Sequence, residues 1–281
     1  MTAATDAVTA AAARLAAADV TSPRHDAEVL AAHVLGIRRA ALCTAQGWDT
    51  ARAQAFDDLI AERARRVPLQ HLTGVAGFRY LDLAVGPGVF VPRPETEALV
   101  SWGLSQLAGV HAPVVVDLCA GSGAIGLSVA LELPAATVYA VEREALALAW
   151  LHRNAEGTVV QVVAGDATDP NLLAGLDGDV DLVLSNPPYI PVGSVVEPEV
   201  AEHDPPAALW GGADGLQVLR RVAARAQALL RPGGQLGVEH GDRQGQAVPA
   251  LLAAAGGWED VADHPDLTGR DRFTTARRAA G

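Results

Sequence analysis

The sequence contains no lysine, so each of its 21 basic side chains is an arginine. The 33 acidic side chains outnumber these arginines and give a net charge of −12. An acidic chain repels nucleic-acid phosphates over most of its surface, which disfavours a general nucleic-acid binder without excluding a local basic patch. We attribute the missing lysine, together with the abundant alanine, to a GC-rich coding bias rather than to function.

Cysteine and aromatic residues are also scarce. The two cysteines, Cys43 and Cys119, are too few and too distant for a disulfide framework or a zinc site. We therefore expect a cytoplasmic protein in a reducing compartment, and we assign no metal. Hydrophobic residues make up 50% of the chain but aromatic ones only 4%, so we expect an ample, mainly aliphatic core.

No segment is typical of secretion or of a membrane span. The N-terminus lacks the basic stretch and following apolar stretch of a signal peptide. The longest uncharged run covers residues 98–116 and is interrupted by Gln106, His111 and Pro113. We interpret this run as a helix followed by a buried strand.

The first 70 residues predict a small helical bundle. Ser22 and Pro23 are typical of a helix start, apolar residues then recur at helical spacing, and Gly36 ends the segment. A second amphipathic helix is predicted over residues 51–65. Residues 71–92 carry glycines between short alternating stretches, which indicates a β-hairpin linker. A second domain then covers residues 93–281 and opens with a helix through about residue 107.

From residue 114 onward, predicted strands alternate with helices. The strands are placed at 114–118, 137–141, 159–163, 181–184, 234–239, 258–263 and 271–277. The helices are placed at 124 onward, 145–154, 215–230 and 243–255. The first strand is a continuous apolar run of the kind that is buried in parallel sheets. This alternation predicts an α/β fold with helices on both faces of a sheet.

A glycine-rich loop joins the first of these strands to its helix. Gly121, Gly123 and Gly126 form the GxGxxG pattern of dinucleotide-binding proteins, and Glu142 ends the next strand, where a carboxylate can accept ribose hydroxyls. Asp117 would lie poorly beside a pyrophosphate but suits a ligand with a positive amino group. S-adenosylmethionine has such a group and no phosphate. A tight turn that binds nothing remains the structural alternative.

A second motif, Asn186-Pro187-Pro188-Tyr189, follows the fourth strand. The Asn186 side-chain oxygen and the Pro187 carbonyl can accept the two N–H bonds of a planar amide or amine, and the Tyr189 ring can stack on it. Such a nitrogen is a poor nucleophile, so orientation and electrostatic matching would be the main contribution of the enzyme. A proline-rich turn after a buried strand is the alternative interpretation.

The loop resembles motif I of the class I (Rossmann-like) S-adenosylmethionine-dependent methyltransferases. This resemblance implies that Asp166 contacts the adenine amino group. Two positions depart from the family pattern: Cys119 stands where glycine is usual, and Ala167 replaces a large side chain that packs on adenine. The residues assigned to the cofactor are Asp117, Cys119, Ala120, Gly121, Ser122, Gly123, Glu142, Asp166 and Asn186.

Further stretches extend the resemblance over essentially the whole chain. They are residues 22–28, 70–74, 90–97, 186–190, 238–241 and 266–272. Together they resemble the HemK/PrmC family, the peptide chain release factor N5-glutamine methyltransferases. The resemblance implies methylation of the glutamine in the Gly-Gly-Gln motif of class 1 release factors, with S-adenosyl-L-homocysteine as the second product. It also implies a helical domain over residues 1–70 that docks the protein substrate, and a monomer.

Several polar residues beside these motifs have two interpretations. Arg93 could hold backbone carbonyls or Glu95 near the glutamine pocket, and Glu97 could also bind substrate. A capped helix start with favourably placed carboxylates is the alternative interpretation for both. For Glu239 and His240, at the end of a strand, packing and hydrogen bonding are the preferred interpretation over catalysis. The catalytic and substrate-binding residues are therefore predicted to be Asn186, Pro187, Pro188, Tyr189, Arg93 and Glu97.

Other functions remain as alternatives. The negative net charge agrees with the release factor as substrate, because an acidic enzyme can approach a protein that is basic where it faces ribosomal RNA. A glutamine methyltransferase of a ribosomal protein differs only in its partner. A nucleic-acid amino-methyltransferase would need base extrusion and usually a basic surface, against which the charge argues. Asp117 and the Asn186 motif disfavour a dehydrogenase, and the intact motifs disfavour a module that only binds release factors.

Overall fold

The computed structural model describes residues 4–45 and 48–280, which divide into two compact units. The helical unit runs to Val75 and also includes Val196–His203. The sheet unit comprises Ala76–Val195 and the chain from Asp204 onward. This division differs from the linear order of domains drawn from the sequence, because segment 196–203 packs with the N-terminal helices. The boundaries at residues 70 and 92 stay predictions.

The helical unit contains the helices α1 Ala4–Ala17, α2 Pro23–Leu35, α3 Thr50–Ala64 and α4 Leu69–Thr73, and the short helix Pro198–His203 also belongs to it. As predicted, α2 has Pro23 at its first position and ends before Gly36, whose φ of +66° is left-handed. The Asp49 carboxylate caps the N-terminus of α3 by accepting a hydrogen bond from the N–H of Arg52 at 2.8 Å. The aliphatic side chains of Leu15, Leu30 and Ile60 are fully buried in the core of this unit.

The hairpin predicted after the helical region is present. Its strands are β1 Val75–Phe78 and β2 Leu81–Ala84, joined by a turn in which Arg79 has a φ of +50°. The remaining helices, in chain order, are α5 Thr96–Gln106, α6 Ala124–Glu132, α7 Ala145–Ala155, α8 Pro198–His203, α9 Pro206–Leu209, α10 Gln217–Leu229 and α11 Ala247–Ala255.

Seven strands form the sheet. Their bounds are β3 Val114–Leu118, β4 Thr137–Glu142, β5 Gln161–Ala164, β6 Val180–Ser185, β7 Leu230–Glu239, β8 Trp258–Pro265 and β9 Asp271–Arg278. The strand order is β5-β4-β3-β6-β7-β9-β8, in which β3 to β7 are parallel and β9 runs antiparallel to both neighbours. The helices α5, α6 and α7 cover one face and α10 and α11 the other. The predicted three-layer α/β fold is confirmed.

The uncharged run at 98–116 lies in α5 and β3, as the sequence indicated. Among the described residues, none of the helices has both the length and the apolar character needed to cross a membrane. Strand β5 begins two residues later than predicted, because Val159 is exposed and precedes the pairing with β4.

Candidate functional site

The two motifs found in the sequence leave the sheet at one edge. Strands β3 and β6 are neighbours, with Leu118 opposite Ser185, so the glycine loop and the Asn186 motif begin side by side at the carboxyl ends of the strands. This edge, where the strand order reverses direction, is where open α/β sheets bind ligands. Strand β7 ends beside β6, with Val238 opposite Ser185, and brings Glu239 to the same edge.

The glycine loop turns through left-handed backbone. Cys119, Gly121 and Gly123 have φ values of +66°, +56° and +92°. A side chain at Gly123 would lie 2.7 Å from Leu151, so this position requires glycine. Cys119 adopts this conformation although it carries a side chain, whereas glycine would adopt it without steric cost. Burial raises the pKa of its thiol to about 12, so the thiol stays neutral.

Asp117 lies fully buried at the end of β3, beneath the loop. Its Oδ2 accepts the N–H of Gly126 at 2.9 Å, whereas its Oδ1 has no hydrogen-bond partner among the described residues. Burial raises the pKa of this carboxyl to about 7. The hydrogen bond from Gly126 acts to lower the pKa, and the negative charge of Glu142 acts to raise it further. A buried carboxylate oxygen without a partner is a fitting acceptor for an ammonium group, as the sequence interpretation of Asp117 requires.

Glu142 ends β4 and is held by backbone amides. Its Oε1 accepts the N–H groups of Arg143 and Glu144 at 2.7 and 2.8 Å, and its Oε2 accepts that of Gly121 at 2.8 Å. Each carboxylate oxygen has two acceptor sites, so Oε2 retains capacity for one hydroxyl donor. The carboxylate is therefore fixed against the loop, with one further bond available.

Asp166 follows β5 and is held in a similar way. Its Oδ1 accepts both the N–H and the hydroxyl of Thr168, at 2.8 and 2.7 Å. Its Oδ2 lies 3.5 Å from Arg143. Burial acts to raise the pKa of Asp166, but the bonds from Thr168 and the charge of Arg143 outweigh it and the pKa is lowered. The group is thus an ionised acceptor.

The Asn186 motif forms hydrogen bonds with Thr96, Glu239 and Gln244, which lie outside it. Asn186 donates from Nδ2 to the Thr96 hydroxyl at 3.2 Å, and the Tyr189 hydroxyl lies 3.4 Å from Oε1 of Glu239. The carbonyl of Tyr189 accepts a bond from Gln244 at 3.1 Å. Burial raises the pKa of the Tyr189 phenol well above its usual value, so the phenol is protonated at neutral pH.

Sequence reasoning did not name Thr96, and it interpreted Glu239 as a residue that packs and forms hydrogen bonds at a strand end. The Thr96 hydroxyl donates to Oε2 of Glu239 at 2.6 Å, and both side chains are buried. Burial raises the pKa of Glu239 to about 7. The available signals were the position of Thr96 within the 90–97 stretch and that of Glu239 at a strand end. His240 forms the hydrogen bonds that the sequence interpretation expected, since its Nε2 lies 2.7 Å from Asp263 and 3.0 Å from Thr274.

Arg93 and Glu97 have partners that the sequence did not indicate. Arg93 forms an ion pair with the buried carboxylate of Asp204 at 2.8 Å, and its guanidinium lies 4.9 Å from the centre of the Phe90 ring. Glu97 accepts the N–H of Arg79 at 3.0 Å and so fixes the hairpin turn. The substrate-binding role of Arg93 and Glu97 stays a prediction.

Comparison with protein families gives two matches. A model described as the PrmC N-terminal domain matches residues 6–74, and one described as the methyltransferase small domain matches residues 94–203. A release factor glutamine methyltransferase of Mycolicibacterium smegmatis is 51% identical over 274 residues, covering 98% of this chain and 97% of that protein. One of Streptomyces coelicolor is 50% identical over 274 residues, covering 95% of each chain.

Solved structures share the fold. The hMettl16 catalytic domain in complex with MAT2A 3'UTR hairpin 6 has a TM-score of 0.56 at 16% identity, covering 79% of this chain and 82% of that one. A methyltransferase from Pyrococcus furiosus has a TM-score of 0.50 at 19% identity, covering 71% and 89%. At these identities the similarity concerns the fold alone.

Proposed function

Because this chain belongs to the family of release factor glutamine methyltransferases, we propose that it methylates the Gly-Gly-Gln glutamine of class 1 peptide chain release factors. The methyl group comes from S-adenosyl-L-methionine and is added to the side-chain amide nitrogen. The N–H bond that breaks releases one proton to solvent, and the products are N5-methylglutamine and S-adenosyl-L-homocysteine. The observation that carries the proposal is the meeting of the Asn186 motif and the glycine loop at one sheet edge.

The residues around the glycine loop fit this cofactor, which supplies an electrophilic methyl group on a sulfonium when bound. Oδ1 of Asp117 would accept from its amino group, since that buried oxygen has no partner among the described residues. Oε2 of Glu142 would accept one ribose hydroxyl, and Asp166 would contact the adenine amino group. The backbone of residues 119–123 would lie against the bound cofactor.

The Asn186 motif would hold the glutamine side chain. Oδ1 of Asn186 and the carbonyl of Pro187 accept the two amide N–H bonds, which fixes the nitrogen and increases its electron density as it attacks. Tyr189 stacks on the planar amide, and its phenol stays protonated because burial raises its pKa. These residues orient and polarise the nitrogen rather than act as a strong base.

The helical unit is the proposed docking surface for the release factor. Its support is the match of residues 6–74 to the PrmC N-terminal domain. A net charge of −12 suits a protein partner that is basic where it faces ribosomal RNA.

The test is methyl transfer from labelled cofactor to a purified class 1 release factor, with the modified peptide mapped by mass. A parallel reaction uses a release factor whose Gly-Gly-Gln glutamine is replaced. One added methyl on that glutamine, absent from the replaced version, supports the proposal. Cofactor binding without transfer would direct the search to ribosomal proteins and then to nucleic acid.

A further inference from the structure

We propose that Thr96 and Glu239 are positioning residues that determine which end of the Asn186 side-chain amide faces the substrate nitrogen. The inference rests on the function proposed above. It concerns two residues outside the Asn186 motif, one at the start of α5 and one at the end of β7.

The directions of the hydrogen bonds follow from the number of protons available. The Thr96 hydroxyl lies 2.6 Å from Oε2 of Glu239 and 3.2 Å from Nδ2 of Asn186. A hydroxyl has one proton, and an ionised carboxylate only accepts, so the proton of Thr96 goes to Glu239. The hydroxyl oxygen is then left to accept from Asn186. The reversed amide would bring its oxygen against a hydroxyl that has no proton left to donate.

This arrangement selects one orientation of the Asn186 amide. With Nδ2 held by Thr96, Oδ1 is the end left to accept an N–H bond from the substrate. The reversed orientation would present an NH₂ group to the substrate NH₂, which is a donor facing a donor. The orientation of Asn186 therefore decides whether the motif binds an amide nitrogen.

Both positioning residues are buried and hydrogen-bonded. Thr96 and Glu239 are 4% and 1% exposed. Glu239 is anchored by the strand pairing that places Val238 opposite Ser185, the residue before Asn186. Oε1 of Glu239 also lies 3.4 Å from the Tyr189 hydroxyl, so one carboxylate supports both ends of the motif.

The charge of Glu239 is what fixes the direction of the Thr96 bond. Four neighbouring groups affect the pKa of this carboxyl. The hydroxyls of Thr96 and Tyr189 and the positive charge of Arg272 lower it, and the negative charge of Glu95 raises it. Burial outweighs the favourable groups and raises its pKa to about 7. A protonated Glu239 can donate to Thr96, which frees the Thr96 proton for Oδ1 of Asn186 and reverses the amide. Methyl transfer at saturating cofactor should therefore slow as the pH falls below 7.

The experiment compares Thr96→Val, Thr96→Ser and Glu239→Gln with the wild type, using the release factor assay at saturating cofactor. Thr96→Val should lower kcat by roughly 10- to 100-fold, the effect of losing one charge-assisted hydrogen bond. Its Kd for S-adenosyl-L-methionine, from calorimetry, should be unchanged, and Thr96→Ser should restore kcat. Glu239→Gln still offers an oxygen to Thr96 but does not titrate, so its kcat should lose the decline below pH 7.

Thr275→Val is the matched control, because it removes a similarly buried hydroxyl whose partners are His264 and the carbonyl of Ala262. A wild-type kcat in Thr96→Val, or a wild-type pH profile in Glu239→Gln, would overturn the positioning role. If Thr96→Val fails to fold, the Glu239→Gln profile and the Thr96→Ser rate still decide. A wild-type enzyme without methyl transfer to the release factor would instead refute the proposed function, and the inference with it.

Discussion

Lowering the pH from 8 to 6 is expected to weaken the binding of S-adenosyl-L-methionine, because the carboxyl of Asp117 takes up a proton in this range. The group is fully buried, and its pKa is raised to about 7 mainly by that burial. An ammonium group pairs with the ionised form. Binding should therefore release a proton at neutral pH and be favoured at higher pH.

The expected magnitude follows from the fraction that is ionised. With a pKa of about 7, about nine-tenths of Asp117 is ionised at pH 8 and about one-tenth at pH 6. Apparent affinity scales with the competent fraction, so Kd should rise about tenfold. Asp117→Asn keeps an oxygen for the Gly126 N–H but cannot ionise, so it should bind more weakly at pH 8 and without this dependence.

The same group affects the stability of the ligand-free protein in the opposite direction. A pKa of about 7 in the folded state, against an ordinary 3.8, corresponds to on the order of 4 kcal/mol. Because the folded-state pKa is the higher one, this stability is present below pH 4 and lost as the pH rises through 7. Asp117→Asn should therefore melt at a higher temperature than the wild type at pH 8.

The assay is calorimetry at pH 6, 7 and 8, repeated in two buffers of different ionisation heat to count the released protons. Melting of both proteins without ligand is measured in parallel. Equal Kd values for the wild type at pH 6 and 8, with no proton released at pH 7, would refute the reasoning. So would a variant that keeps the pH dependence of the wild type.

Three further predictions concern other parts of the chain. Asn186→Ala should lose about 100-fold or more in kcat at saturating cofactor, because it removes the group that polarises the nitrogen. An unchanged rate would contradict this role. Arg63→Met removes the partner of the buried Asp26 carboxylate, with which Arg63 forms an ion pair at 2.8 Å. The free energy of unfolding of the helical region, measured in urea, should fall by about 3–5 kcal/mol. A loss below about 1 kcal/mol would contradict the pairing. Cys119→Gly removes the side chain from a residue with a left-handed φ of +66°, so it should stabilise the protein by about 1 kcal/mol in the same assay. A destabilised variant would show that the packing of the thiol contributes more than the backbone strain.

Much of the sheet could be predicted because its strands are buried on both faces. Strand β3 matches its predicted bounds, Val114–Leu118, because a short apolar run is typical of a strand that is buried on both faces of a parallel sheet. The meeting of the glycine loop and the Asn186 motif was also predictable, because parallel strands bring their carboxyl ends to one edge.

The contacts that were missed join residues far apart in the chain. Thr96 meets Glu239 across 143 residues and Asn186 across 90, and no local pattern encodes such pairings. Arg93 finds Asp204, 111 residues away, instead of the neighbouring Glu95. The Pro198–His203 helix was not predicted, because six residues are too short to show helical periodicity.

The course of residues 196–203 has a consequence for dividing the protein into fragments. The chain passes between the two units three times, once near residue 75 and twice around this segment. Glu199, within it, pairs with Arg63 and Arg66 at 2.9 and 3.1 Å. A fragment that starts at residue 76 would carry this carboxylate without either arginine, on a segment that begins seven residues after Tyr189. An independent sheet unit would therefore have to be made by replacing residues 196–203 with a polar loop, rather than by cutting the chain once.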